Sequence, residues 1–192
     1  MTEQRPPSLG PMPARPGRGA GAARLAEILR VDHAGELAAV HIYRGQQAVF
    51  SAGGKDVLGD RFKDLQSQEA EHLKAFDGLL SEHGVRPSLL TPLWRAAAFA
   101  LGAGTALLGE KAAHACTDAV EQVIEEHYAG QVEELGEREP ELAARLAQFR
   151  DDELAHQLDA VEQGAREAPA YPILAAVIKA GCRVAIRTAE KI

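Results

Sequence analysis

Apolar and charged positions along the chain fall into long blocks cut by glycine and proline, the punctuation of a helical protein. The first block, residues 23–51, ends before Gly53-Gly54. The second, 56–83, stops at Gly84 with Pro87 close behind. A third starts near Pro92 and runs in two pieces to about 135, with Gly102, Gly104 and Gly109 as candidate bends. Glu139-Pro140 opens the fourth, because proline suits a first helical turn, and that helix ends near Gly164. Ala168-Pro169 and Tyr171-Pro172 set off a last helix over 173–190. Two blocks depart from an ordinary bundle pattern. Ala96–Gly109 is uncharged for 14 residues, short of the roughly 20 a membrane-spanning helix needs. Trp94 and Arg95 flank it as interface anchors, which predicts a segment lying on a membrane over a plain buried helix. The last helix sets Lys179, Arg183, Arg187 and Lys191 four residues apart beside an apolar face. Two readings of that row stay open: cations snorkelling to anionic headgroups, or a solvated face offsetting the helix dipole.

Composition narrows the class. The chain has 192 residues, enough for one domain with a real core, and is 46% hydrophobic but only 5% aromatic. Alanine and leucine dominate, which favours helix packed on helix. A formal charge of −7 argues against broad nucleic-acid binding. Residues 1–22 carry five Pro, four Gly and three Arg and no apolar run, and read as a disordered tail with no secretory signal. The domain is therefore expected over 23–192. Cys116 and Cys182 form no C-x-x-C and read as buried thiols of a reducing compartment.

The chemistry lies in two Glu-x-x-His pairs, Glu69/His72 and Glu153/His156. A residue three positions on lies one turn along and about 60° round a helix, so each pair shares a face. Lone glutamates Glu36 and Glu121 precede the pairs by 33 and 32 residues. A carboxylate can bridge two cations, whereas an imidazole gives one nitrogen to one metal. Four glutamates and two histidines on four helices are the ligand set of a carboxylate-bridged di-metal centre, and suit iron or manganese. Glu125, one turn after Glu121, is the rival for the third helix. Tyr43 and Tyr128 each follow their lone glutamate by seven residues, so Glu–Tyr then Glu-x-x-His occurs twice and suggests an old duplication. Asp32 and Asp152 are candidates to orient ligand histidines on neighbouring helices. His33, His41, His83 and His114 are expected in surface or packing roles. No dinucleotide fingerprint is present: Gly102-x-Gly104 lacks a third glycine and a strand.

The motifs resemble one family. Arg30-Val31-Asp32-His33-Ala34-Gly35-Glu36 with Tyr43-Arg44-Gly45-Gln46, then Glu69-Ala70-Glu71-His72-Leu73, look like the first two helices of the demethoxyubiquinone hydroxylases. Ala119-Val120-Glu121 with His127-Tyr128, and Arg150-Asp151-Asp152-Glu153-Leu154-Ala155-His156, are similar to the next two. Ala168-Pro169-Ala170-Tyr171 and Ala180-Gly181-Cys182-Arg183-Val184-Ala185-Ile186 are similar to the C-terminal stretch, so the resemblance covers about 24–192.

The resemblance implies an all-α, ferritin-like four-helix bundle with additional apolar, interfacial helices. It implies a membrane-associated di-iron monooxygenase that hydroxylates the ring of a polyprenylated methoxy-benzoquinone in ubiquinone biosynthesis. It carries over Glu36, Glu69, His72, Glu121, Glu153 and His156 as ligands of two irons. It assigns His127 and Tyr128 to catalysis and to NADH-linked reduction. The implied partners are a membrane-embedded polyprenyl quinone, the membrane surface and other ubiquinone-pathway proteins. With the tail's lack of a secretory signal, which makes a bacterial-type cytoplasmic location the default, the expected location is peripheral on the cytoplasmic face of a membrane. The competing classes are a ferritin-like iron-oxidising or storage protein, a peroxide-reducing di-iron protein and a metal-free bundle. Two cysteines cannot build the four-cysteine iron site common in peroxide-reducing relatives, and a metal-free bundle would bury several uncompensated carboxylates.

Overall fold

The computed structural model describes residues 20–192, and these form six α-helices. They are α1 (Ala20–Ala52), α2 (Asp56–His83), α3 (Thr91–Leu107), α4 (Glu110–Leu135), α5 (Pro140–Glu162) and α6 (Tyr171–Ala189), with a short 3-10 turn at Ala165–Glu167. The fold is the expected all-α, ferritin-like bundle. The expected tail over 1–22 lies outside the described residues as far as residue 19, and α1 already includes the last three of its residues.

Local chemistry sets the boundaries. Gly84 ends α2 in the left-handed conformation (φ 62°), which glycine adopts without a Cβ clash. Pro140 begins α5, and Pro92 and Pro172 lie in the first turns of α3 and α6. The third predicted segment is two helices, separated at Gly109 with φ 117° and ψ 171°, a backbone conformation essentially reserved for glycine.

Gly102 and Gly104 do not mark bends; both lie inside α3. Gly102 is there because α1 and α3 touch backbone to backbone. A Cβ at Gly102 would lie 2.0 Å from the Ile42 carbonyl oxygen, and one at Gly45 would lie 2.4 Å from that of Phe99. Gly102→Ala is therefore expected to destabilise the protein by about 3 kcal/mol, the upper end for overpacking because backbone cannot step aside. Thermal unfolding checks this; an unchanged melting temperature would show that the helices separate freely.

α1 packs on α2 and α3, and α4 packs on α5 and α6, so each half is a helix hairpin with a third helix laid along its first member. The apolar core falls into layers. One cluster joins Ile28, Leu29, Phe76, Leu80, Leu146 and Phe149. Another joins Ala39, Phe50, Phe62, Leu65 and Ala113. Along α1, α2 and α4 the acidic residues of interest lie between these clusters in sequence, so the bundle has a polar layer at mid-height between two greasy ones.

Candidate metal centre

All six predicted ligands meet in that layer, and each is at most 7% exposed. Among the described residues, two groups offer ligand atoms within 4.8 Å of one another: Glu36, Glu69, His72 and Glu153, and then Glu69, Glu121, Glu153 and His156. Glu69 and Glu153 belong to both. The lone glutamates and the histidines belong to one group each. Such a set could hold two adjacent cations, with Glu69 and Glu153 within reach of both and one further Glu and one His for each.

The donor chemistry fits a cation. Glu36 Oε2, Glu121 Oε2, Glu153 Oε2 and both Glu69 oxygens are buried without a hydrogen-bond partner. Four buried carboxylates are costly unless something positive compensates them. In the protein alone the histidines do so. His72 Nδ1 lies 3.2 Å from Glu153 Oε1 and 3.5 Å from Glu36 Oε2. His156 Nδ1 lies 2.9 Å from Glu69 Oε1 and 3.4 Å from Glu153 Oε2. Burial works to lower the His156 pKa, but the bonds to Glu153 and Glu69 outweigh it and raise it to about 10. His72 is raised for the same reason by Glu153, Glu36 and Glu69. Burial, reinforced by the neighbouring carboxylates, pushes Glu36 and Glu121 well above the usual range. Burial also works to raise Glu69, yet His156 and His72 hold it down at about 2.

These shifts fix a pH dependence. Groups raised on folding hold protons that the unfolded chain releases, so their stabilisation is present at low pH and is lost as pH rises. For Glu36, Glu121, His72 and His156 the metal-free protein therefore loses stability from about pH 5 upward, through the His156 value near 10. Glu69 acts oppositely, but only below its unfolded value of 4.5. Bound cations replace those protons. Metal-free protein is thus expected to melt lower at pH 9 than at pH 6, by roughly 2–4 °C for each kcal/mol lost, while metal-loaded protein changes less. Scanning calorimetry checks it; equal slopes for the two forms would contradict the account.

The two tyrosines bond across the bundle. Tyr43 on α1 donates its hydroxyl to Glu121 Oε1 on α4, and Tyr128 on α4 donates to Glu36 Oε1 on α1. Each terminal glutamate thus has one oxygen held by a tyrosine and the other turned into the cluster. The equal spacing of Glu and Tyr was visible in the sequence; the exchange of partners was not, because it depends on α1 and α4 lying side by side. Tyr128 is buried, while the preceding His127 side chain is 19% exposed and faces Asp32 Oδ1 at 3.3 Å.

Several expectations are resolved by position. Glu125 lies outside the cluster and pairs with Arg150 at 2.5 Å. Asp152 does meet a histidine of the neighbouring helix pair, with Oδ2 3.2 Å from His72 Nε2. Asp32 does not meet a cluster histidine; it is buried between His127 and Gln131, whose Nε2 donates to it at 2.7 Å. His33 pairs with Asp77 on α2, His41 with the Leu37 carbonyl, and His114 packs on Phe62. His83 is exposed at the end of α2. Gln68, missed in the sequence, places Oε1 3.0 Å from His156 Nε2. The signal was available: Gln68 precedes Glu69 as Asp152 precedes Glu153. Both cysteines are free, with burial pushing the Cys116 thiol up to about 12 and that of Cys182 to about 11.

Against the backs of α1 and α4 lies an apolar groove of about 400 Å³. α3 and α6 form its other walls, and its lining includes Ile42, Leu101, Val123 and Ile178. Gly35 and Val120, the residues before Glu36 and Glu121, also line it. Trp94 faces the groove as well, with its indole N–H donating to Ser88 Oγ at 3.3 Å. It is therefore half-buried as part of the groove wall. Three of the four cations of the basic row have partners in the bundle: Lys179 donates to Gln122, Arg183 pairs with Glu126 and Lys191, just past α6, with Glu27.

The bundle and its buried carboxylate–histidine layer define a ferritin-like protein with a site able to hold metal. Residues 23–189 match the family model of the ubiquinone biosynthesis protein COQ7, and the chain belongs to that family. It is 48% identical to a 3-demethoxyubiquinol 3-hydroxylase of Rhodospirillum rubrum, over 92% of this chain and 82% of the relative. It is 47% identical to the human mitochondrial NADPH-dependent 3-demethoxyubiquinone 3-hydroxylase, over 86% and 76%. It is 45% identical to the mitochondrial 5-demethoxyubiquinone hydroxylase of Saccharomyces cerevisiae, over 90% and 80%.

Proposed function

We propose that this protein hydroxylates the ring of a demethoxyubiquinone, using two irons held by Glu36, Glu69, His72, Glu121, Glu153 and His156. The observation that carries the reading is the pair of overlapping ligand groups sharing Glu69 and Glu153 beside an apolar groove. Two bound irons would supply the reduction of dioxygen, one oxygen atom going to the ring and the other, with two electrons and two protons, to water. The chain's residues do the rest. Tyr43 and Tyr128 fix the terminal carboxylates, and two apolar layers keep water from the site. The groove gives a prenyl chain an apolar wall on four helices. A storage protein has no use for such a groove.

The polyprenyl substrate stays in a bilayer, so the enzyme must dock on one. No helix among the described residues is long and apolar enough to cross a membrane. The outer faces of α3 and α6 are instead apolar and exposed: Leu93 is 55%, Leu107 75%, Ile173 69% and Val184 63% exposed. These two helices also wall the groove, which supports peripheral docking at the cytoplasmic face with the groove opening toward lipid.

His127 and Tyr128 form the proposed route for reducing equivalents. One reaches solvent and the next in sequence reaches Glu36, so they link surface to site. The donor is a reduced nicotinamide; NADH was expected, and the human relative's name specifies NADPH. Tyr43 is an internal control, with the same contact to Glu121 but buried Ile42 before it. Tyr128→Phe is expected to slow nicotinamide oxidation about tenfold, and Tyr43→Phe much less, a difference of roughly 1.4 kcal/mol. Equal losses in stopped-flow traces would assign both tyrosines to ligand positioning alone.

The test of the function is turnover of a demethoxyubiquinone analogue by iron-loaded protein with dioxygen and either nicotinamide. Hydroxylated quinone is the expected product. Nicotinamide oxidation that yields no modified quinone would contradict the proposal.

A further inference from the structure

Resting on the di-metal reading above, we infer that Asp152 and Gln68, the outer partners of the two cluster histidines, make the two metal positions unequal. The rest of the cluster is similar in the two halves of the bundle, apart from His72 also lying 3.5 Å from Glu36 Oε2 and packing on Phe149. Each position takes one terminal glutamate, each terminal glutamate accepts from one tyrosine, and both positions share Glu69 and Glu153. Each histidine turns Nδ1 into the cluster and Nε2 outward. The outward partners differ. His72 Nε2 lies 3.2 Å from a carboxylate oxygen of Asp152, and His156 Nε2 lies 3.0 Å from the amide oxygen of Gln68. The Gln68 amide is the right way round for this, since its Nε2 donates to the Asp64 carbonyl.

The two acceptors act differently through the ring. A histidine that gives Nδ1 to a metal carries its proton on Nε2 and donates it outward. A carboxylate accepts that N–H with full negative charge, draws the proton away and makes the ring a stronger donor to its metal. An amide oxygen orients the ring in the same way but carries no charge. The position formed by Glu36 and His72 is therefore the tighter and more electron-rich, and fills first. The position formed by Glu121 and His156 fills second. Asp152 is half exposed, which damps the difference through solvent but leaves its sign.

Asp152 and Gln68 are positioning residues, and the test reads metal, not turnover. Metal-free full-length protein is titrated anaerobically with Fe(II), with calorimetry for the steps and Mössbauer spectra for the sites. Wild type is expected to bind in two steps and to show two ferrous environments. Asp152→Asn should weaken the first step by about ten- to a hundredfold. Gln68→Glu, which keeps the side-chain length and adds a charge, should tighten the second step and merge the two spectra. Asp152→Glu should restore the first step, separating charge from mere folding defects. Two equal steps in wild type, or a second step unmoved in Gln68→Glu, would overturn the inference while leaving the di-metal reading intact. Failure of wild type to bind either iron would overturn both.

Discussion

Glu153→Ala is expected to release both metals, and Glu36→Ala only one. Glu153 lies in both ligand groups, Glu36 in a single one. Removing one of the two shared carboxylates takes a ligand from both positions at once and leaves Glu69 alone between them, too little charge to hold either cation. Turnover should fall by at least about 1,000-fold in Glu153→Ala, equivalent to roughly 4 kcal/mol of lost transition-state stabilisation. Metal analysis after anaerobic loading and desalting gives the stoichiometry directly. Glu153→Gln keeps the side-chain volume and guards against a packing artefact. A Glu153→Ala protein that keeps one tightly bound iron would mean that Glu153 serves one position only.

A paired substitution on the exposed apolar face, Leu93→Asp with Val184→Asp, is expected to detach the protein from lipid vesicles. The Leu89 N–H donates to the Ile192 carbonyl at 3.2 Å, so the start of α3 and the end of α6 are neighbours and act as one surface. Burying an apolar side chain of this size contributes about 1.5–3 kcal/mol, so losing two weakens partition roughly a hundredfold or more. Both positions are exposed, so the core and the iron content should be unaffected. Co-sedimentation with phospholipid vesicles measures it. Undiminished binding would move the docking surface elsewhere. This face is a better target than Trp94, which the sequence singled out but the fold uses as groove wall. The basic row of α6 is a weaker lever, because Arg183 and Lys191 already pair with Glu126 and Glu27.

Most of what could be read from the chain depends on nearby residues, with Asp152 meeting a histidine of another helix as the exception. Glu69/His72 and Glu153/His156 declare themselves because i, i+3 geometry is local to one helix. Pro140 and Gly84 mark helix ends for equally local reasons. The relations that escaped were those between helices. Tyr43 reaching Glu121, Asp32 meeting His127 and Gln131, and Gln68 meeting His156 all require knowing which helices become neighbours. The same holds for Gly102, whose missing Cβ lets α3 lie on Ile42 and which a sequence reads as a breaker. The groove is invisible for the strongest version of this reason, since four helices contribute to it and none carries a motif for it. Where the family resemblance added most was in ordering the motifs and in naming a reaction that no single motif specifies.

Turnover of a demethoxyubiquinone analogue by iron-loaded protein, with reduced nicotinamide and isotopically labelled dioxygen, decides whether this protein hydroxylates the quinone ring. One labelled oxygen atom is expected in the hydroxylated ring. Oxidation of iron with unmodified quinone, or a product whose new oxygen carries no label, would contradict it.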